Sequence, residues 1–287
     1  MIIIANLYNI PAQEFEKQYK NHISGFRVWE QISHAEEWIL FPENIGTNLS
    51  IDETSLSNGE LYTIVTNKKA GGRKGAIVAM IHVTKSSVVE AILKKIPLKA
   101  RLSVQEVTLD MAGAMDLITK NSFPNAIQVT DRFHVQQVVS EAVQEIKIDY
   151  RKTTIKEENG KIEEARKTHR RYRPSVYENE DTKKQLLARS RHLLFKPESR
   201  WTERQLARAR ILFREFPNLK KAKDIESFNV AAQTIRLHET TILNYFNNRS
   251  TNASAESLDA KLKAFRSIVR GVRDRKFHLF RITKLYA

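Results

Sequence analysis

Apolar and polar positions fall into two textures along the chain. Between residues 49 and 134, short β-branched and aromatic runs alternate with polar breaks. LSID (49–52), LYTIVTN (61–67) and AIVAMIHV (76–83) read as three strands. NKKAGGRKG (67–75) joins the last two, with Gly71 and Gly72 supplying a permissive turn. SSVVEAILKKI (86–96) reads as a helix that starts at Ser86 or Ser87 and stops at Pro97. VQEVTLD (104–110) is a fourth strand, 112–121 a second helix, and AIQVTD (126–131) a fifth strand. The order is three strands, helix, strand, helix, strand, which predicts an α/β core.

After Asp131 the strand signal almost vanishes. Helices are expected near 135–170, 182–195, 202–216 and 221–247, with breaks at Pro174, Pro197 and Pro217. Within 202–216, Leu206, Ala209, Leu212, Phe213 and Phe216 share one face. The polar loop NNRSTNAS (247–254), rich in capping residues, leads into a final helix. There Ala255, Leu258, Leu262, Phe265, Val269 and Val272 form an apolar stripe that must pack on something. Lys261, Lys263, Arg266, Arg270 and Arg273 project elsewhere, toward solvent or a phosphate backbone. In the first 48 residues, Trp29, Trp38 and Phe41 suggest a small layer packed against the core. No internal repeat or low-complexity tract is seen.

Composition narrows the function. The absence of cysteine removes disulfides, thiolate zinc sites and cysteine nucleophiles together, and fits a reducing compartment. MIIIANLYNI (1–10) is apolar but has no basic start and is too short to span a bilayer, so neither signal peptide nor membrane helix is expected. The net charge of +15 is unevenly spread. Residues 1–134 carry 14 Lys/Arg against 14 Asp/Glu, residues 135–250 carry 25 against 16, and residues 251–287 carry 9 against 3. A basic C-terminal half favours a polyanionic partner, nucleic acid first, although a solvated helical surface gives the same count.

Asp52 and Asp110 each stand where a strand is expected to end. If the first and fourth strands are neighbours, the two carboxylates can share a site. Such oxygens suit hard divalent cations, and two ions can activate water on one side of a phosphodiester and stabilise the leaving oxygen on the other. Taken singly, each Asp is more often a turn former or helix cap, and Glu256 in the first turn of its helix gains from the macrodipole in any case.

Together, IDE (51–53), VTLDMAGA (107–114), FPNAIQVTDRFHV (123–135) and STNASAESLDAKLKAFRSIVRGVR (250–273) resemble the successive motifs of insertion-sequence transposases of the ISL-three group, including its ISAon-like branch. The resemblance covers nearly the whole chain from about Asn21. It implies a DDE-type enzyme with an RNase H-like mixed sheet core and an all-helical insertion before the last core helix. The implied segments are 1–48 packing on the core, 49–134 as its first part, 135–248 as the insertion and 249–287 as its final helix. By the same resemblance, Asp52, Asp110 and Glu256 are the catalytic residues and ligands of two Mg2+ or Mn2+ ions. Asp131 and His134 match a D-x-x-H signature and would position the site or the DNA.

The implied partners are DNA, as terminal repeats and target, a separate N-terminal DNA-binding chain of the same element, and further copies of this chain in a synaptic complex. The implied place is the bacterial cytoplasm, at the nucleoid. Arg170, Arg171 and Arg173, interleaved with Tyr172 and Tyr177, suit phosphates and unpaired bases. Lys263, Arg266, Arg270 and Arg273 are further phosphate candidates. Trp201 either holds a displaced base or, the plainer reading, anchors a helix pair.

Three departures from the family pattern are visible. No recognisable DNA-binding module precedes Asp52, the stretch 219–241 is shorter than expected, and Asp259 stands where the family favours Asn. A truncated, non-catalytic DNA-binding remnant and a structure-specific nuclease on the same core therefore stand as alternatives.

Overall fold

The computed structural model describes residues 7–57, 60–190, 193, 198–219, 226–268 and 274–287. The chain divides into two compact units, Met1–Arg132 with Thr240–Ala287, and Phe133–Glu239.

The first unit is built on a six-stranded mixed sheet. Its strands are β1 (Trp38–Leu40), β2 (Asn48–Ser57), β3 (Glu60–Asn67), β4 (Ile77–Ile81), β5 (Glu106–Leu109) and β6 (Ile127–Thr130), in the order β1-β4-β3-β2-β5-β6. The β1-β4, β4-β3 and β3-β2 pairs are antiparallel, whereas β2-β5 and β5-β6 are parallel. The helices of this unit are α1 (Ala12–Gln18), α2 (Ser86–Leu93), α3 (Leu98–Leu102) and α4 (Gly113–Ser122). The second unit contains most of α5 (Arg132–Lys167), then α6 (Lys183–Arg189), α7 (Glu203–Glu215) and α8 (Glu226–Leu237). The chain then returns to the first unit through α9 (Glu239–Asn248), α10 (Ala253–Ile268) and α11 (Arg275–Tyr286). No helix among the described residues is long and apolar enough to cross a membrane.

Strand alternation gives the sheet two apolar faces. Leu49 and Ile51 of β2, Val65, Ala79, Val107 and Leu109 pack with Val89 and Leu93 of α2 and Met115 and Ile118 of α4. Leu56, Tyr62, Ile64 and Met80 pack with Leu258 and Leu262 of α10 and Leu279 and Ile282 of α11. The stripe expected on the final helix is therefore seated on the sheet; its Val269 and Val272 lie outside the described residues. Gly72 permits the close approach of α10. Its φ is +67°, and a Cβ there would stand 3.3 Å from the Leu258 nitrogen and the Ser254 carbonyl oxygen. The Lys261 ammonium donates to the Gly72 carbonyl at 2.7 Å across the same contact.

Several expectations are corrected. The first strand does not end at Asp52. It runs to Ser57, because the antiparallel ladder with β3 continues through Asp52↔Ile64 and Glu53↔Thr63. The N-terminal segment contributes an edge strand, β1, besides packing Trp29 and Phe41 on one face of the sheet and Trp38 on the other. The single helix expected over 221–247 is two, parted at His238. A further helix, α11, follows α10, and its Phe277 and Phe280 close an aromatic cluster with Phe26.

In the second unit, Thr182/Gln185 and Thr202/Gln205 form reciprocal capping boxes that start α6 and α7. Leu186, Leu187, Ile211, Leu212 and Phe216 make its core. Fully buried Asp181 receives Arg208 at 2.9 Å and Arg189 on its other oxygen, tying both helices to one carboxylate.

His278 on α11 is 3% exposed, stacks on Phe265, and has no hydrogen-bond partner on either ring nitrogen. Burial, then the charges of Arg266 and Arg281, push its pKa down to about 4 against the opposing pull of Glu60. The folded value lies below the unfolded one, so the unfolded chain protonates first as pH falls. Stability should therefore decline between about pH 6.5 and 4, by on the order of 3 kcal/mol. Urea midpoints measured across that range should fall in the natural chain and fall less in His278→Phe.

Candidate functional site

The parallel ladders bring the acidic residues together. The β2-β5 ladder ends with Ser50 of β2 level with Thr108 of β5, and Asp52 and Asp110 each stand two residues beyond that last pair. Leu109 of β5 is level with Thr130 of β6, and the next step sets Asp110 level with Asp131, whose N–H donates to the Leu109 carbonyl at 3.0 Å. Three aspartates thus stand just past the ends of the parallel pairings and are termed the acidic row. Neighbouring strands in such a row stand about 4.8 Å apart. Asp52 keeps the alternation of Leu56, which faces α10.

Each carboxylate is anchored locally. Asp52 Oδ1 accepts from the Glu53 N–H at 2.8 Å. Asp110 Oδ1 accepts from the Ala112 N–H at 2.9 Å and so starts the turn into α4. The turn-forming role of a post-strand Asp is real here, and it leaves Oδ2 out of that bond. Burial, then the negative charge of Asp110, raises the carboxyl pKa of Glu53. Negative charge is therefore already crowded at this row, which favours a cation beside it. Asp131 is 2% exposed, and its Oδ2 is shut from solvent without a partner.

Glu256 lies in the first turn of α10, and its side chain is exposed. Asp259, one turn on, is half-buried; its Oδ1 has no partner and its Oδ2 holds Lys263 at 2.7 Å. Among the described residues no three His, Asp or Glu side chains close on a single metal position. Asp52 and Asp110 offer hard carboxylate oxygens beside Glu53, whose carboxyl is raised first by burial and then by Asp110, a donor set that fits a divalent cation.

A family model described as Transposase matches residues 49–282. The chain belongs to the ISL-three transposase family. No curated protein and no solved structure matches it. The family makes DNA the partner of this chain and makes the chain a DNA-processing protein. The matched span includes all three aspartates of the row as well as Glu256.

The basic residues singled out in the sequence divide sharply. Arg170, Arg171 and Arg173 follow α5 in an irregular segment, exposed, and form no ion pair with another described residue. Arg266 instead turns to Glu60 at 2.9 Å, at the hairpin joining β2 and β3, so its charge is already spent inside the fold. Lys263 is shared with Asp259, while Arg270 and Arg273 lie outside the described residues. Trp201 is half-buried and stacks toward Phe213 of α7, as a helix anchor does. His134 lies in the first turn of α5, half-buried with its ring edge-on to Phe133.

Two groups of site-supporting residues escaped the sequence reading. Glu106, 3% exposed at the start of β5, receives Lys68 at 3.2 Å and Asn248 at 3.2 Å. Lys68 also donates to Thr108 at 2.7 Å. Asn252, 1% exposed, stands just before α10 with its N–H on Asp131 Oδ1. The capping composition of 247–254 was the available signal for Asn252. A charged residue inside a strand gave none for Glu106.

Proposed function

We propose that this family member is an insertion-sequence transposase with an RNase H-like core, which cleaves DNA at the ends of its element and joins the ends to a target. The observation that carries the proposal is that Asp52 and Asp110 each stand two residues past the last pair of the β2-β5 ladder, in a chain of the transposase family. On this reading, Asp52 and Asp110 hold Mg2+ or Mn2+, and Glu256 completes the set from α10. The bound ions, when present, make an attacking oxygen nucleophilic and stabilise the departing one. The protein supplies rigidity: Asp110 is fixed by the turn into α4, and Asp52 by the antiparallel ladder with β3. The unit Phe133–Glu239 is read as the helical insertion, with Arg170, Arg171 and Arg173 free to meet phosphates.

The purified chain, given Mg2+ or Mn2+, should nick duplex DNA at a terminal repeat in preference to branched or RNA–DNA substrates. Equal cutting of branched substrates would favour the nuclease reading. Salt-sensitive DNA binding with no cutting at all would favour the non-catalytic remnant.

A further inference from the structure

A hydrogen-bonded relay connects the end of β6 to the backbone of Glu256. The Asn252 N–H donates to Asp131 Oδ1 at 3.4 Å, and the Asn252 carbonyl accepts the Glu256 N–H at 2.9 Å. Both relay residues are almost fully buried. Asp131 itself is fixed on the sheet, because its N–H continues the β5-β6 ladder. The carboxylate therefore accepts from the residue that immediately precedes a 16-residue helix, and negative charge is stabilised near such a helix start.

The relay also carries a cost. Asp131 Oδ2, both polar atoms of the Asn252 side chain and Ser254 Oγ are buried without partners. Each such group costs roughly 1–3 kcal/mol relative to a paired one. An apolar packing of the same volume would be more stable, so stability alone does not account for these residues.

We propose that Asp131 and Asn252 form a latch, with Asp131 acting as a positioning residue and not as a metal ligand: it sets the axial position of α10 against the sheet and so delivers Glu256 toward Asp52 and Asp110. The catalytic part of this proposal rests on the transposase reading above; the latch itself does not. Contact at Gly72 fixes the same helix as well, so the start of α10 is held by the end of β6 and by the β3-β4 turn together.

The test compares Asp131→Asn, which keeps an acceptor oxygen without the charge, with Asp131→Ala, which removes the acceptor. Asp131→Ser replaces the alanine variant if that chain does not fold. Three readouts are taken on the full chain: amide hydrogen exchange over 250–258 without metal, Mn2+ binding by calorimetry, and the Mg2+ dependence of nicking at a terminal repeat. In Asp131→Ala the Asn252 and Glu256 amides should exchange at least about tenfold faster, as expected for loss of a hydrogen bond to a charged group. Half-maximal nicking should then need several-fold more Mg2+. Asp131→Asn should stay within about threefold of the natural chain in all three readouts.

Unchanged exchange in Asp131→Ala would overturn the latch. So would loss of Mn2+ binding in Asp131→Asn with exchange intact, because that marks a ligand. A chain that never nicks DNA but shows the exchange difference upholds the latch and rejects the transposase activity instead.

Discussion

Replacing Asp110 with asparagine should lower DNA nicking by roughly 10³-fold or more, the loss expected when a ligand worth several kcal/mol of transition-state stabilisation is removed. Asparagine is the informative substitution, because its side-chain oxygen can still accept the Ala112 N–H and keep the turn into α4. The charge is what disappears. Metal-free stability should not fall, because Asp110 raises the pKa of Glu53 and its removal relieves that repulsion. Asp52→Asn should match it in activity, since both carboxylates are proposed to hold the same ions. A gel-based nicking assay read beside thermal melts separates the two effects. Activity lost together with many degrees of melting temperature would point to a structural role.

Lys68→Met should give the largest loss of stability, about 3–5 kcal/mol, because it strands the buried Glu106 carboxylate without its cation. Burial alone would raise the pKa of Glu106. Hydrogen bonds from Ser250 and Asn248, together with the charge and hydrogen bond of Lys68, outweigh burial and lower it. With the folded value depressed, this carboxylate stabilises the fold above its ordinary pKa, and the contribution is lost as pH falls through the folded one. In the natural chain this contribution should therefore be lost only below the ordinary carboxylate range, and Lys68→Met should unfold at higher pH. The effect reaches the site as well. Asn248 and Ser250 immediately precede α10, so a loosened Glu106 releases the segment that leads to Asn252 and Glu256. Chemical denaturation at pH 7 and pH 4 measures both parts.

What the sequence disclosed depended on range. Continuous apolar runs in 61–67 and 76–83 marked β3 and β4 because both lie inside the sheet. IDE resembled the end of a strand because two adjacent acids suit a loop, yet the β3 ladder carries both acids as strand residues. Strand β1 has only three residues and takes its stability from β4, so no local pattern could reveal it. Helix α11 buries Phe277, Leu279, Phe280 and Ile282 on more than one side and intersperses them with charged residues, and so lacks a one-sided stripe to read.

The site divides the same way. Asp110 and Asp131 were visible because they follow strands, whereas the row they make with Asp52 is a property of register between strands distant in sequence. Arg266 looked like a free cation on a helix face; Glu60, far away in the chain, claims it. Glu256 was placed by its motif, and what holds it is the backbone of Asn252, which no motif describes.

The most direct measurement is anomalous scattering from crystals of the full chain soaked in Mn2+. At least one peak should lie about 2 Å from carboxylate oxygens of both Asp52 and Asp110, with a second ion, where bound, some 3.5–4 Å from it. Manganese bound elsewhere on the chain, with none bridging Asp52 and Asp110 at saturating concentration, would contradict the assignment.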